Sequence, residues 1–534
     1  MHLAAYLECA RIRYSLGMTL GRRAMKLCAL IRDLPGIALK GDGEVRVTGV
    51  TCDSRRVKPG MLFVAVPGTK MDGRAFVAEA LQAGAAAVAL EPAAACPEPC
   101  PIGLWFGAAH PGVPHLIVPD ARAATADLAA AFHGHPTRRL RVIGVTGTSG
   151  KSTTTYLIKS ICDAAGRRAG LLGTIKYELG GRELPSNNTT PGADELQGYF
   201  ADMVAAGLHA GVMEVSSHAL VQGRVRGVEF AAAVFSNLTQ DHLDYHGTMD
   251  EYREAKGILF RDLAPGAAAV LNADDPASDR YAALTKGRVA WYGLNDPRAA
   301  YTAEVISSDF HGSSILVKTP DGPFHLETRM VGTHNVYNLL AATAACHATG
   351  IPLEDIQRGL ETTAVVPGRL EAVDCGQDFA VFVDYAHKPD AMENVLHCLR
   401  PLVRGRLITV FGCGGDRDRG KRPLMGKIAS ERSDFVILTS DNPRSERPGA
   451  ILREIEKGIA DKAKYRVCED REEGIRRALS MAEKGDVVLI AGKGHEAYQI
   501  FKDTVKPFDD RQVAREILTQ MHGYVTRQDS LGAA

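Results

Sequence analysis

Near-continuous apolar runs alternate with longer amphipathic stretches along most of this chain. "RVIGVTG", "AGVMEVSS", "FAAAVFSNL" and "GAAAVLNA" fall between residues 141 and 273, each separated from the next by a helix-length segment. A strand that is apolar on both faces has to be covered on both, so these runs predict a parallel sheet between helical layers. The stretch "YTAEVISSDFHGSSILVKTPDGPFHLETRMVG" alternates apolar and polar positions instead, with Pro320, Asp321 and Gly322 marking a turn, and predicts antiparallel strands.

Upstream, "VRVTGVTCDSRRVKPGMLFVAVPGTKMDGRAFVAEALQAGAAAVAL" predicts short strands, Gly and Pro turns and an Ala-rich helix. "ARAATADLAAAFHG" predicts a helix after it. From "VVPGRLE" onward strand and helix alternate again through "FAVFVDYA", "GRLITVFGCGG", "DFVILTSDNPR" and "DVVLIAGKGHE". The expected fold class is α/β with three domains. These are an N-terminal extension plus small α/β domain (1–121), a central phosphate-loop domain with a parallel sheet (122–366) and a Rossmann-like C-terminal domain (367–534). Ligands of open parallel sheets bind beyond the carboxyl ends of the strands, so "DYAHKPD", "GDRDRGKRP", "DNPRSE" and "GKGHE" are expected to converge on one edge.

Composition narrows the function classes. At 534 residues, 45% hydrophobic and 24% charged, the chain suits a soluble enzyme of two to four domains. Formal net charge is zero, so no global field recruits nucleic acid or an anionic membrane, and any anionic ligand must be held by local groups. Eleven cysteines are scattered singly apart from Cys96 and Cys100, which reads as reduced thiols in a cytoplasmic protein rather than a zinc site. No apolar run reaches the roughly 20 residues of a membrane span. The arginine-dotted N-terminus lacks a signal-peptide pattern, and Met18 or Met25 is an alternative start.

The strongest motif is "VIGVTGTSGKSTTT": an apolar strand, a glycine-rich turn and a helix, the arrangement that aims backbone N–H groups at phosphates. Lys151 is expected to reach terminal phosphates and Ser152 to bind Mg²⁺. The glycines fall at Gly144, Gly147 and Gly150, which is not the strict phosphate-loop spacing, because Val145 takes its first position.

A second cluster is "FSNLTQDHLDYHGTMDEYREAKGILF". A helix from about Met249 sets Lys256 in one apolar stripe with Tyr252, Leu259 and Phe260. Either the lysine snorkels to solvent, or it is buried, loses its charge and becomes nucleophilic enough to be carbamylated by CO₂ into a Mg²⁺ ligand. Asp241, His242, Asp244 and His246 lie just upstream. In a third group, "MEVSSHALVQGRV", Glu214 ends a strand beside the phosphate loop, where it can bind the metal, and Ser216, Gln222 and Arg224 are anion-binding types.

Together "TGTSGKSTTT", "NNTTPG", "MEVSSHALVQGRV", "NLTQDHLDYHGTMDEYREAK", "GTHNVYNLLAA", "DYAHKPDAM", "GCGGDRDRGKRPLMG", "DNPRSE" and "AGKGHE" resemble the Mur ligases of peptidoglycan synthesis, from about Val47 to about Arg511. The resemblance is nearest to the members that add meso-diaminopimelate to UDP-N-acetylmuramoyl-L-alanyl-D-glutamate. It implies an ATP-dependent amide ligase acting on these small molecules through an acyl phosphate, monomeric, with no nucleic-acid partner and no membrane insertion. It implies two Mg²⁺ ions, held by Ser152, Glu214, His242 and a carbamate on Lys256, with Lys151, Glu214, His242 and Lys256 as the catalytic set. ATP is expected on Gly147, Thr148, Ser149, Gly150, Lys151, Ser152 and Thr153, with Asn335, Arg369 and Asp384. The UDP substrate falls to Cys52, Ser54, Thr69, Lys70, Met71, Asn188, Thr189, Thr190, Ser216, Gln222 and Arg224.

The diaminopimelate site is expected at Arg417, Asp441, Asn442, Pro443, Arg444, Gly492 and Glu496. Arg444 offers a planar fork for the distal carboxylate that L-lysine lacks, Pro443 stiffens its turn and Arg417 takes the other carboxylate. A lone arginine there could instead pair with Glu446 or Asp416. Ser149 departs from the asparagine usual in the family, and the N-terminal extension and "PAAACPEPCPIGLWFGAAHPG" are additions to its pattern. Other readings are a different amino-acid-adding Mur ligase, such as one for L-lysine, a folylpolyglutamate synthetase, which needs no UDP-binding module, and a phosphate-loop regulatory ATPase.

Overall fold

A computed structural model describes residues 24–68, 71–92, 110, 112–363 and 365–522. The N-terminal extension, Thr69, Lys70, Cys96 and Cys100 lie outside the described residues. The chain divides into two compact units. One holds the residues up to Leu140 with Thr190–Gly207 and His218–Glu229, and the other holds Arg141–Thr189, Leu208–Ser217 and everything from Phe230 onward.

The first unit is built on a five-stranded sheet in the order Ala38–Lys40, His115–Ile117, Ala87–Leu90, Leu62–Val64, Val50–Thr51. Only the pairing of Ala38–Lys40 is antiparallel. Strand period places Leu62 and Val64 on one face, against Leu128 and Phe132 of the helix Ala121–Phe132. Phe63 and Ala65 face the other way, onto Val77 and Ala80. The unit therefore extends past residue 121, because the helix expected to open the central domain supplies one wall of this core.

The second unit carries an eight-stranded sheet in the order Glu183–Pro185, Lys176–Glu178, Ala169–Leu172, Ala210–Glu214, Arg141–Thr146, Phe230–Phe235, Ala268–Asn272, Arg288–Tyr292. The last six pair in parallel, as their two-sided apolarity predicts, and the first two close one edge antiparallel. The helix Lys151–Ala164 leaves the central strand and packs on Thr333–Ala348 and Leu353–Glu361. Gly359 permits that approach: a Cβ there would stand 2.4 Å from the Ile161 Cα. The alternating segment forms the antiparallel sheet Thr302–Asp309, Gly312–Thr319, Gly322–Thr328, with the turn at Pro320 and Asp321 between its last two strands.

Farther along the same unit is a six-stranded sheet in the order Glu371–Ala372, Ala380–Asp384, Val487–Ala491, Leu407–Phe411, Phe435–Leu438, Tyr465–Val467, parallel except for its first strand. The four polar clusters expected to converge do so at the carboxyl ends of its strands. The Gly492 N–H donates to the Asp384 carbonyl (3.1 Å) and the Gly415 N–H to that of Asn442 (2.9 Å). Behind them lies a fully buried ion pair, Arg471 with Asp510, at 2.7 Å. The same guanidinium donates to the carbonyls of Ser440 (3.2 Å) and Ala491 (3.0 Å), pinning the last turns of two strands. Among the described residues no helix is long and apolar enough to cross a membrane.

Removing one member of a buried pair strands the other charge. Asp510→Ala is expected to destabilise this region by about 3–5 kcal/mol, whereas Arg471→Met with Asp510→Leu recovers most of the loss. Scanning calorimetry of the full chain checks this through the transition midpoints, and an unchanged midpoint in Asp510→Ala would refute it.

Candidate active site

The phosphate loop is held from outside its own segment. Ser236 Oγ donates to the Ser149 carbonyl (2.6 Å), the Asn237 side-chain oxygen accepts from the Ser149 N–H (3.0 Å), and the Thr148 N–H donates to the Asn237 carbonyl (2.8 Å). Gly147 sits at φ 145°, where a Cβ would lie 1.9 Å from Ser236 Oγ, so only glycine fits. Gly144 serves sheet packing instead, since a Cβ there would meet the Phe230 ring at 2.6 Å. The loop itself begins at Gly147, which accounts for the irregular spacing.

Two lysines end on one carbonyl. Lys151 Nζ donates to the Gly147 (2.9 Å) and Thr148 (2.9 Å) carbonyls, and Lys256 Nζ donates to the same Gly147 oxygen (2.8 Å). Lys256 is 1% exposed on the helix Met249–Arg261, among Tyr252, Leu259 and Phe260, so it does not snorkel. Its ammonium lies 4.4 Å from the centre of the Tyr252 ring, and among the described residues it has no salt-bridge partner. Burial, with Lys151 adding repulsion, pushes its pKa well below the usual lysine range. The same desolvation brings Lys151 down to about 8, opposed by the charge of Glu214.

Glu214 is 2% exposed and pairs in register with Val145. Its carboxylate accepts from Ser152 Oγ (2.9 Å), the Thr174 N–H (2.8 Å) and Thr174 Oγ1 (3.0 Å). A hydroxyl and a carboxylate in contact suit a hard cation that keeps waters and takes phosphate oxygens. His242 sits at φ 53° with Nε2 3.1 Å from Asp241, and its ring faces Tyr252 at 6.2 Å. Among the described residues no three His, Cys, Asp or Glu side chains cluster as a metal-binding set.

Asp241 also pairs with Lys388 of "DYAHKPD". Although burial works the other way, Lys388 and His242 hold its carboxyl below the usual value. Arg369 Nη2 donates to Ser152 Oγ (3.2 Å), and its guanidinium covers the Tyr385 ring at 4.9 Å. Asn335 Nδ2 donates to the Val331 carbonyl (3.0 Å), its oxygen accepts from Asn338 (3.1 Å), and Asp384 accepts from the Leu370 (2.7 Å) and Ala386 (2.8 Å) N–H groups. Thr153, Asn335 and Arg369 line a cavity of about 1050 Å³ with Val331, Val366 and Phe382.

At the edge of the six-stranded sheet, Arg444 has φ 52°. Its backbone is clamped to the strand Tyr498–Phe501, the N–H donating to the Ile500 carbonyl at 3.0 Å, and its Nη1 donates to the Gly415 carbonyl (2.9 Å). It pairs with neither carboxylate considered for it: Glu446 is bound to Arg422 (2.7 Å) and Asp416 accepts from Ser445 Oγ (2.6 Å). Asn442 Nδ2 donates to Glu496 (2.7 Å). A Cβ at Gly492 would stand 2.8 Å from the Asp441 carboxylate, so Gly492 packs against Asp441, next to the Asn442–Glu496 pair. Pro443 is buried behind this turn, and Arg417 is exposed on the neighbouring loop.

In the first unit Arg224 donates to the Thr190 carbonyl (3.0 Å) and the Gln222 side-chain oxygen (2.9 and 2.6 Å), bringing those three together. Cys52 and Ser54 flank Asp53, which caps the turn Ser54–Arg56, and Met71 is 61% exposed. Asp194, which no sequence pattern singled out, ties that loop down by accepting from Thr51 Oγ1 (3.0 Å) and pairing with Arg56 (3.4 Å). In the second unit Thr189 Oγ1 lies 3.0 Å from Thr174 Oγ1, Tyr177 bonds the Asn188 carbonyl, and Ser216 follows Glu214 beyond its strand. Ser236, Asn237, Lys388 and Lys493 were likewise missed from the sequence. Their roles depend on contacts across long sequence separations, and only the position of Asn237 at a strand end hinted at one.

Family models match residues 46–133 (Mur ligase family, catalytic domain), 145–346 (Mur ligase middle domain) and 368–494 (Mur ligase, glutamate ligase domain). The UDP-N-acetylmuramoyl-L-alanyl-D-glutamate–2,6-diaminopimelate ligase of Geobacillus thermodenitrificans is 48% identical over 498 residues, 92% of this chain and 99% of that one. The chain belongs to the Mur ligase family. The ligase of the same name from Solibacter usitatus is 48% identical over 484 residues, 90% of this chain and 95% of its own. A solved structure of a UDP-N-acetylmuramoyl-L-alanyl-D-glutamate–2,6-diaminopimelate ligase superposes with TM-score 0.67 at 32% identity, covering 94% of this chain and 100% of its own. A D-alanyl-D-alanyl-adding relative from Acinetobacter baumannii shares the fold at TM-score 0.61 and 20% identity, with 89% and 96% covered.

In this Mur ligase Lys151 is cationic below about pH 8 and loses its charge above it, so nucleotide phosphates must bind with proton uptake at higher pH. Affinity for the nucleotide is expected to weaken as pH rises through about 8, by up to about tenfold per pH unit. Calorimetric titration in buffers of different ionisation enthalpy checks this, and equal binding heats at alkaline pH would contradict it.

Proposed function

We propose that the chain ligates meso-diaminopimelate to UDP-N-acetylmuramoyl-L-alanyl-D-glutamate at the expense of ATP, in peptidoglycan precursor synthesis. The observation that carries this is Arg444, at positive φ with its guanidinium bonded, among the described residues, to the Gly415 carbonyl and to no carboxylate, on the turn that also carries Asp441 and Asn442. A cation and carboxylates together suit a centre bearing both a carboxylate and an ammonium, which the distal end of diaminopimelate has and that of L-lysine lacks. The 48% identity over nearly the whole chain to ligases of that name supports the same reading.

The γ-carboxylate of the D-glutamyl residue attacks the terminal phosphorus of ATP, giving an acyl phosphate and ADP. The diaminopimelate amine then adds to the acyl carbon, and the tetrahedral intermediate collapses to amide and phosphate. Lys151 is placed to swing from the Gly147 and Thr148 carbonyls onto the transferring phosphoryl oxygens. Arg369 bridges Ser152 and Tyr385 at the same edge. Mg²⁺ would be held by Ser152 and Glu214, and a second ion by His242 with carbamylated Lys256, offsetting phosphate charge. Asn188, Thr189, Thr190, Ser216, Gln222 and Arg224 take the muramoyl peptide, and Cys52, Ser54, Thr69, Lys70 and Met71 the uridine nucleotide. Arg417 takes the carboxylate beside the attacking amine.

The carbamate reading is supported by the burial of Lys256 and by its amine meeting Lys151 at one carbonyl, with no salt-bridge partner for either among the described residues. Lys256→Ala is expected to remove most activity, Lys256→Arg not to restore it, and a short-chain carboxylate to rescue the alanine variant in part. An unmodified amine by mass spectrometry in active enzyme would overturn this.

A charge-assisted hydrogen bond contributes about 1.5–3 kcal/mol, and leaving Arg444 unpaired penalises L-lysine further, so discrimination of about a thousandfold is expected. Ligation with a panel of amino acids tests the function. Arg444→Ala is expected to raise KM for diaminopimelate far more than KM for ATP. Efficient L-lysine addition by the unmutated enzyme would refute the substrate, and phosphate release without the UDP substrate would favour a regulatory ATPase.

A further inference from the structure

Lys493 lies beside the Asn442–Glu496 pair and belongs to none of the groups assigned above. Its side chain is 0% exposed. Nζ lies 3.3 Å from the Asn442 side-chain oxygen, 3.4 Å from Glu496 Oε2 and 5.5 Å from the centre of the Tyr498 ring. A fully buried lysine is costly unless its charge is used. Here it touches two residues proposed to hold the substrate and donates to the oxygen of Glu496 that also accepts from Asn442.

Asp441 and Glu496 bring two carboxylates to this turn, Lys421 lies near Asp441, Arg444 lies near Tyr498, and Arg471 close by is already paired with Asp510. Among the described residues Lys493 is the cation in hydrogen-bond reach of Glu496, the carboxylate proposed to meet a substrate ammonium. We propose that Lys493 is a positioning residue that sets the specificity of this turn, holding the Asn442 side-chain oxygen and the Glu496 carboxylate in place so that they accept the distal ammonium of a diamino acid. The proposal rests on the reading that this sheet edge takes the distal centre of diaminopimelate.

Without Lys493 the Glu496 carboxylate loses the cation that lies 3.4 Å from it. Burial already raises the Glu496 carboxyl, and Asp441 adds to this, with Lys493 and Asn442 opposing them. Also facing Glu496 are the Tyr385 hydroxyl, which donates to Oε1 (3.4 Å), Tyr498 and Arg471, with Arg444 near Tyr498. Removal of the lysine therefore makes ammonium binding fail at low pH and return as pH rises through the raised carboxyl pKa.

The test is steady-state kinetics of the full chain from about pH 6 to about pH 9, with every variant compared with the unmutated enzyme at the same pH. Lys493→Met is expected to raise KM for diaminopimelate about tenfold or more near neutral pH and to leave KM for ATP within about twofold, the first ratio shrinking as pH rises. Lys493→Arg recovers most of the loss. Lys493→Met with Glu496→Gln keeps the KM raised but removes its pH trend. A pH-independent ratio in Lys493→Met, or an equal change in both KM values, would overturn the proposal. Should Lys493→Met not fold, Glu496→Gln alone decides: it raises KM for diaminopimelate and not for ATP, and an unchanged diaminopimelate KM refutes the role. If the unmutated enzyme adds L-lysine instead, the substrate reading fails and the same ratios are read on lysine, whose ammonium makes the same demand. An enzyme that adds neither overturns both.

Discussion

The carbonyl of Gly147 is the point on which the nucleotide end of this molecule turns. It accepts from Lys151 and from Lys256, two amines brought together where burial lowers the pKa of each and the charges of Glu214 and Asp241 oppose that shift on Lys151. The loop is braced from a neighbouring strand end: Gly147 has no Cβ because Ser236 occupies that space, Ser236 Oγ donates to the Ser149 carbonyl, and Asn237 accepts from the Ser149 and Thr148 N–H groups.

Much of this was legible in the sequence because it is local. Two-sided apolarity gave away the parallel strands, and helical spacing put Lys256 in a buried stripe. Glu214 at a strand end fell beside the loop because parallel neighbours in register share their carboxyl edge. What stayed hidden depends on residues far apart in the chain. Ser236 braces Ser149 across 87 positions, Asp194 holds Thr51 across 143, and Lys493 reaches Asn442 across 51; no periodicity encodes such pairs. Gly144 misled for a related reason, since its glycine answers to Phe230 on the adjacent strand rather than to the phosphate loop. The helix Ala121–Phe132 was found correctly as a helix, but an amphipathic stripe does not say which core it faces.

Between the nucleotide end and the amino-acid edge runs a short chain of contacts. Arg369 touches Ser152 and lies over Tyr385, Tyr385 donates to Glu496, and Glu496 accepts from Asn442 in the turn that carries Arg444. Asp241 and Lys388 make a second link alongside it. A ligase that forms an unstable acyl phosphate gains from having its amine site in place when phosphate transfer occurs, because water competes for the activated carbon.

The bracing of the phosphate loop by Ser236 and Asn237 also bears on how the chain is made. On a ribosome, residues 147–152 emerge long before the strand Phe230–Phe235 that pairs with Arg141–Thr146 and delivers both braces. Until that strand docks, Gly147 has no steric reason to hold its unusual φ, and the loop has no fixed anion cradle. Competence to bind nucleotide therefore arises late in synthesis, with the closing of a nonlocal strand pair, and a truncated product ending before residue 236 lacks it although it contains the entire glycine-rich motif.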